Sequence, residues 1–203
     1  MFPYLTDAVR RTLFSAEPPG LIAPNRAGWT VERLEWGDPE NQARSRRLER
    51  STPWRFIGGR APATGRLFGG CLEVLAWLRG TTVWPAAEAL RGTILFLETS
   101  EEGPPPRFVA RELRTLAAMG ILQGLSGLLI GRPGGGVPVP QFDEYDRAVL
   151  EVVHDEAGLR ELAVVTQMDF GHTDPMFVLP YGVLARIDPA AQTFEILESG
   201  VVD

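Results

Sequence analysis

The sequence predicts a mixed α/β domain: a sheet with parallel crossovers, closed by an antiparallel element. Three observations carry this. Apolar runs that read as buried strands alternate with amphipathic helical stretches from about residue 65 onward. Two of those runs stop abruptly on polar, turn-rich sequence, as strands do where they leave a sheet. The last stretch, 181–189 and 193–198, alternates in hydrophobicity on either side of a turn, which is the pattern of a hairpin.

Taken in order, residues 1–15 place Tyr4/Leu5, Ala8/Val9, Leu13 and Phe14 near helical spacing, with Thr6 or Asp7 available as a cap. Residues 17–60 are rich in Pro, Gly, Trp and Arg, and alternation over 29–36 predicts a short strand there. The locally basic run 42–50 admits a nucleic-acid patch, but in an acidic chain it reads as a solvated loop. We therefore divide the chain into an upstream segment, 1–64, of a helix plus Pro/Trp/Arg-rich loops, and a compact unit, 65–203. Trp29, Trp36 and Trp54 in the upstream segment suit an exposed interface, a substrate loop, or core packing and loop anchoring.

In the compact unit, 65–70 reads as a strand breaking into a glycine turn at Gly69-Gly70, two glycines that suit close backbone packing better than an anion cradle. A helix over 71–78 follows, with Gly80 as its stop. Residues 93–97 form an apolar run that delivers Glu98 at a strand end, where α/β sheets tend to place their chemistry. Residues 104–118 make an amphipathic helix with Phe108/Val109, Leu113 and Leu116/Ala117 on one face and Gly120 at its end. A buried strand over 125–131, a loop over 132–138 and a second helix over 142–156 follow. A strand over 163–168 then opens into Gly171-His172-Thr173-Asp174-Pro175.

Composition bounds the function. The chain has 203 residues, 44% of them hydrophobic, enough for a substantial core. Its net charge of −6 comes from 26 acids against 20 basic residues, all of them arginine, which argues against a broad nucleic-acid surface. No apolar run approaches a membrane span and the first residues lack a signal-peptide pattern, so the expected setting is cytoplasmic, without a membrane partner. Cys71 is the only cysteine and sits among apolar residues, the setting of a buried, inert thiol.

One acid and one histidine at strand ends, Glu98 and His172, are two thirds of a hydrolase triad: a base, and an acid that fixes its tautomer. On the residues alone, the favoured reading is plainer: Glu98 caps the following helix and His172 bonds a turn carbonyl. Asp169 and Asp174 flank the histidine and suggest two rivals, an Asp–His couple or a metal site. His154 falls on a solvated helix face. No nucleophile is visible: of the serines at 15, 45, 51, 100, 126 and 199, only Ser126 approaches an elbow motif, and Leu128 stands where that motif needs glycine.

The order and content of several motifs resemble the C-terminal part of the LD-carboxypeptidase family, which includes the microcin C immunity peptidases. The motifs are Gly65-Arg66-Leu67-Phe68-Gly69-Gly70-Cys71-Leu72-Glu73-Val74-Leu75, Leu78-Arg79-Gly80-Thr81, Ile94-Leu95-Phe96-Leu97-Glu98-Thr99-Ser100-Glu101, Gly127-Leu128-Leu129-Ile130-Gly131, and Phe170-Gly171-His172-Thr173-Asp174-Pro175. They cover about 65–188. The resemblance implies a swivelling β/β/α C-terminal domain, homodimerisation, no cofactor, and a Ser-His-Glu serine peptidase in which Glu98 is the acid and His172 the base. In that family the serine and oxyanion hole lie in an N-terminal domain that is missing here, so the chain alone is expected to be inactive. Family substrates are muropeptides, cleaved before a terminal D-alanine, or peptidyl-nucleotides. Many members have Asn where this chain has Cys71. The alternatives are a non-catalytic binding or dimerisation module on the same scaffold, and a metal hydrolase using His172, Asp169 and Asp174.

Overall fold

The computed structural model of the chain describes residues 2–202. Its centre is a run of four parallel strands: β3 (Ala63–Cys71), β4 (Ile94–Glu98), β5 (Gly127–Gly131) and β6 (Ala163–Met168). The elements before it are α1 (Pro3–Leu13), β1 (Gly20–Ile22), α2 (Pro39–Gln42) and β2 (Arg55–Gly58). The crossovers between the parallel strands are α3 (Leu72–Leu78), α4 (Pro106–Ala118) and α5 (Phe142–Leu150), and the chain closes with β7 (Leu184–Asp188) and β8 (Thr193–Ile196). The eight strands form one sheet in the order β1-β8-β7-β3-β4-β5-β6-β2.

Alternation in the strands assigns the two faces. Leu95 and Leu97 of β4, Leu128 and Ile130 of β5 and Val164 of β6 join Val109, Leu113 and Leu116 of α4 and Val149 of α5 in one core. Three successive crossovers of the same hand put α3, α4 and α5 on that one side. The intervening residues, Ile94, Phe96, Leu129 and Val165, face a second core with Ile187, Phe194, Ile196, Phe170 and Phe177, against which Tyr4 and Ala8 of α1 pack. Because both faces are covered, all five residues of β4 are buried. Among the described residues no helix is long and apolar enough to cross a membrane.

The structure corrects four details. β3 does not turn at Gly69-Gly70; it runs through both glycines to Cys71. The reason is close approach: a Cβ on Gly69 would land on the Phe96 carbonyl of β4, so the strand pairing itself requires glycine there. The predicted strand over 29–36 reduces to two isolated bridges, Trp29 with Glu49 and Thr30 with Asp174. Beyond them, the side chains of Glu32 and Thr30 take hydrogen bonds that a ladder would have made. α1 starts on Phe2 with Pro3 in its first turn and no side-chain cap, since proline needs no acceptor for a missing N–H. The helix over 142–156 is α-helical to Leu150 and then winds as a π-helical turn, Glu151–Glu156. The upstream segment also supplies both edge strands, β1 beside β8 and β2 beside β6.

Gly69→Ala is expected to destabilise the fold by roughly 3 kcal/mol or more, because neither backbone can give way without breaking the β3–β4 ladder. Denaturant unfolding reads this as a lowered midpoint at unchanged slope; an unshifted midpoint would contradict the close approach.

Candidate active site

β4 and β6 are not neighbours; β5 lies between them. For a residue after β6 to reach one at the end of β4, the chain must cross the end of β5, and glycine makes the crossing possible. β5 ends on Gly131, where a Cβ would stand 2.5 Å from the Phe170 carbonyl and 3.0 Å from Glu98 Cβ. The crossing loop then turns at Gly171, whose φ of +100° suits glycine and whose added Cβ would stand 2.6 Å from Glu98 Cβ. The loop is thereby pressed onto Glu98, and His172 Nδ1 meets Glu98 Oε2 at 2.6 Å. An ionised carboxylate only accepts, so Nδ1 is the donor.

Glu98 is almost fully buried, whereas the His172 side chain is about a third exposed (32%). One nitrogen of the ring is held inside and the other faces outward. On that side Glu101 Oε2 lies 3.2 Å from Nε2, and Arg33 of the upstream segment lies 3.4 Å from Glu101. The Glu101 carboxyl is held below the usual carboxylate range by its own backbone N–H, with Arg33 and His172 adding to the effect. Chemically this is a base whose inner nitrogen is fixed by an acid and whose outer nitrogen can take a proton from a group brought to the open side.

Cys71, Ser100 and Ser126 each have partners other than His172. Cys71 is the cross-strand partner of Glu98, and its thiol lies 3.5 Å from Glu73 Oε2. Burial pushes that thiol up to about 11, with the carboxylates of Glu98 and Glu73 contributing, so it is an inert group, though half-buried rather than buried. Ser100 gives both its N–H (3.0 Å) and its hydroxyl (2.6 Å) to Glu73 Oε1. Ser126, just ahead of β5, donates to the carbonyl of Gly92, just ahead of β4, at the opposite end of the sheet from His172. Tyr181 bonds the Gly69 carbonyl and packs edge-on to Phe96; burial first, then the charge of Glu98, raises its phenol.

The two rival arrangements are not formed. Asp169 points away from His172 and pairs with Arg132 at 2.6 Å, both side chains fully buried. Asp174 pairs with Arg46 at 2.6 Å. Among the described residues no three His, Cys, Asp or Glu side chains are grouped to hold a metal ion. His154 is not on a solvated face: the π-helical turn places its Nε2 in a buried position against Gly58, without a hydrogen-bond partner among the described residues. Trp29 and Trp54 are core residues and Trp36 stands out in solvent, 89% exposed.

Sequence reasoning missed Arg132 and Arg46. Arg132 lies in what reads as a plain Gly/Pro loop, and Arg46 in what reads as a solvated basic run, yet both bind acids of the histidine loop. The Arg132-Pro133 step directly after a buried strand was the one available signal.

Comparison with known proteins identifies the family and the fold. The model of the LD-carboxypeptidase C-terminal domain matches residues 64–187. A Vibrio cholerae protein that carries a provisional carboxypeptidase name is 30% identical over 172 residues, 84% of this chain and 47% of its own length. The Microcin C7 self-immunity protein MccF of Escherichia coli is 27% identical over 173 residues, 84% of this chain and 46% of its own. The crystal structure of an MccF-like protein from Streptococcus pneumoniae in complex with AMP superposes with a TM-score of 0.81 at 26% identity, covering 97% of this chain and 58% of that one. The chain thus spans about half the length of the curated relatives it matches.

With its thiol near 11, Cys71 is expected to react with iodoacetamide at pH 8 about a hundredfold more slowly than an ordinary cysteine, in proportion to its thiolate fraction. Alkylation followed by mass spectrometry checks this; a rate matching a free cysteine would contradict it.

Proposed function

This chain belongs to the LD-carboxypeptidase family, as its C-terminal domain, and from that premise we propose that Glu98 and His172 are the acid and base of a serine-peptidase triad. The observation that carries the reading is the 2.6 Å contact between two residues 74 positions apart, made at strand ends across a glycine gap. The serine and the oxyanion hole come from the part of the family's length that this chain does not span.

In the assembled enzyme the serine reaches His172 from its open side. Glu101, half-exposed and held by its own backbone N–H, Arg33 and the imidazole, leaves Nε2 to admit it. Nε2 takes the serine proton as the hydroxyl attacks the scissile carbonyl, and returns it to the leaving group; water then releases the acyl group by the same route. Glu98 keeps the proton on Nδ1 and stabilises the imidazolium. The substrate is a peptide, either a muropeptide ending in D-alanine or a peptidyl-nucleotide. The second class is supported by the MccF-like relative solved with AMP. The chain alone has no peptidase activity, and a cytoplasmic homodimer is its expected setting.

A second reading, a binding or dimerisation module on the same scaffold, draws on the large apolar side chains left exposed, Phe14, Trp77 and Val83. Hydrolysis of a muropeptide tetrapeptide and of a peptidyl-adenylate separates the two, measured on this chain and on the protein extended by the nucleophile region. Expected are activity in the longer protein only, its loss in His172→Ala, and a fall in kcat on the order of 10⁴-fold in Glu98→Gln, as when a triad acid loses its charge elsewhere. Silence of the longer protein on both substrates would leave the module as the better account.

A further inference from the structure

Behind His172 lies a polar cluster that the triad chemistry does not use. Arg132 follows β5 and Asp169 follows β6; both side chains are 0% exposed, and Nη2 of Arg132 stands 2.6 Å from Oδ1 of Asp169. The other oxygen of Asp169 accepts the indole N–H of Trp54 at 2.7 Å and the backbone N–H of Asn25 at 2.9 Å. Arg132 donates from Nε to Thr52 Oγ1 at 3.2 Å and from Nη1 to Thr173 Oγ1 at 3.4 Å, and its guanidinium lies over the Trp29 ring, 5.2 Å from the centroid. Its backbone N–H donates to the Met168 carbonyl at 2.8 Å.

A buried ion pair is weak evidence for stability, since well-packed apolar groups often serve as well or better. What this one supplies is fixed geometry. His172 stands between its two anchors, Asp169 and Thr173, on a loop with no helix or strand of its own. The next residue, Asp174, is bridged through both backbone groups to Thr30 and through its carboxylate to Arg46, so the loop is held on both sides of the histidine.

We propose that Arg132 and Asp169 are positioning residues whose ion pair fixes the loop that aims His172 Nδ1 at Glu98. This rests on the reading of Glu98 and His172 as acid and base. The pair touches neither the ring nor the open side, so it acts only by setting where the imidazole stands. Trp54, Thr52 and Asn25 extend the clamp into the upstream segment, outside residues 64–187. With the clamp loosened, a ring that is one third exposed can exchange Glu98 for water, and a base that has lost its fixed proton on Nδ1 no longer presents a free Nε2.

The test is the low-field Nδ1–H proton resonance of His172 in this chain, assigned by its absence in His172→Ala and its loss in Glu98→Gln. Arg132→Lys and Asp169→Asn should abolish or shift that resonance as Glu98→Gln does, while amide spectra show the fold retained. Arg79→Lys, which disturbs the Arg79–Glu112 pair on the helical side, should lower stability and leave the resonance in place. If the Arg132 and Asp169 variants do not fold, Trp54→Phe and Thr173→Val, each removing one hydrogen bond of the clamp, should weaken the resonance and speed its exchange with water. Folded clamp variants with an unchanged resonance would overturn the proposal. An unaltered chain in which no such resonance exists, or in which Glu98→Gln leaves it untouched, would overturn the acid–base reading instead, and the clamp with it.

Discussion

Everything at the candidate site depends on one place where two backbones come too close for a side chain. At the end of β5, Gly131 lets the Phe170 carbonyl cross over the strand, and Gly171 lets the same loop lie against Glu98. Without that crossing, β5 would keep the ends of β4 and β6 two strands apart, near 10 Å, beyond the reach of a carboxylate and an imidazole. The sheet supplies rigid strand ends, and the glycines decide that two of them share a hydrogen bond.

The rest of the architecture keeps those ends from moving. Three helices cover one face and the β7–β8 hairpin with α1 covers the other, so β4, β5 and β6 are buried throughout their length. The polar groups close to the site are almost all matched. Glu73 takes both hydrogen bonds of Ser100, Thr99 accepts from Gly134, and Arg132 and Asp169 satisfy each other. Thr166 Oγ1 is buried without a partner among the described residues, and the outer nitrogen of His172 is held loosely, since its partner Glu101 is half-exposed on a short loop and needs no rearrangement of the core to leave. Order on the inner side of the imidazole and freedom on the outer side is the distribution that a base serving an incoming nucleophile requires.

The sequence by itself determined the central strands and crossovers, but neither edge strand, β1 or β2, nor the run of β3 through Gly69-Gly70. Periodicity is a local property, and β4, α4, β6 and the closing hairpin lie where their apolar spacing puts them. It also marked Glu98 and His172 as strand-end residues of the right chemical types, although only the family resemblance put them in contact. Tertiary structure alone decided the pairings. Asp169 stands nearer to the histidine in the chain than Glu98 does, yet it turns to Arg132, because the direction of a side chain on an irregular loop is set by partners distant in sequence. For the same reason Arg46 lost its solvated reading and Trp29 and Trp54 became core. At Gly69 the sequence pointed to close packing without naming the strand approached, and Gly131 carries no local signal that separates a turn from a close approach; that distinction exists only once the neighbouring strand is in place.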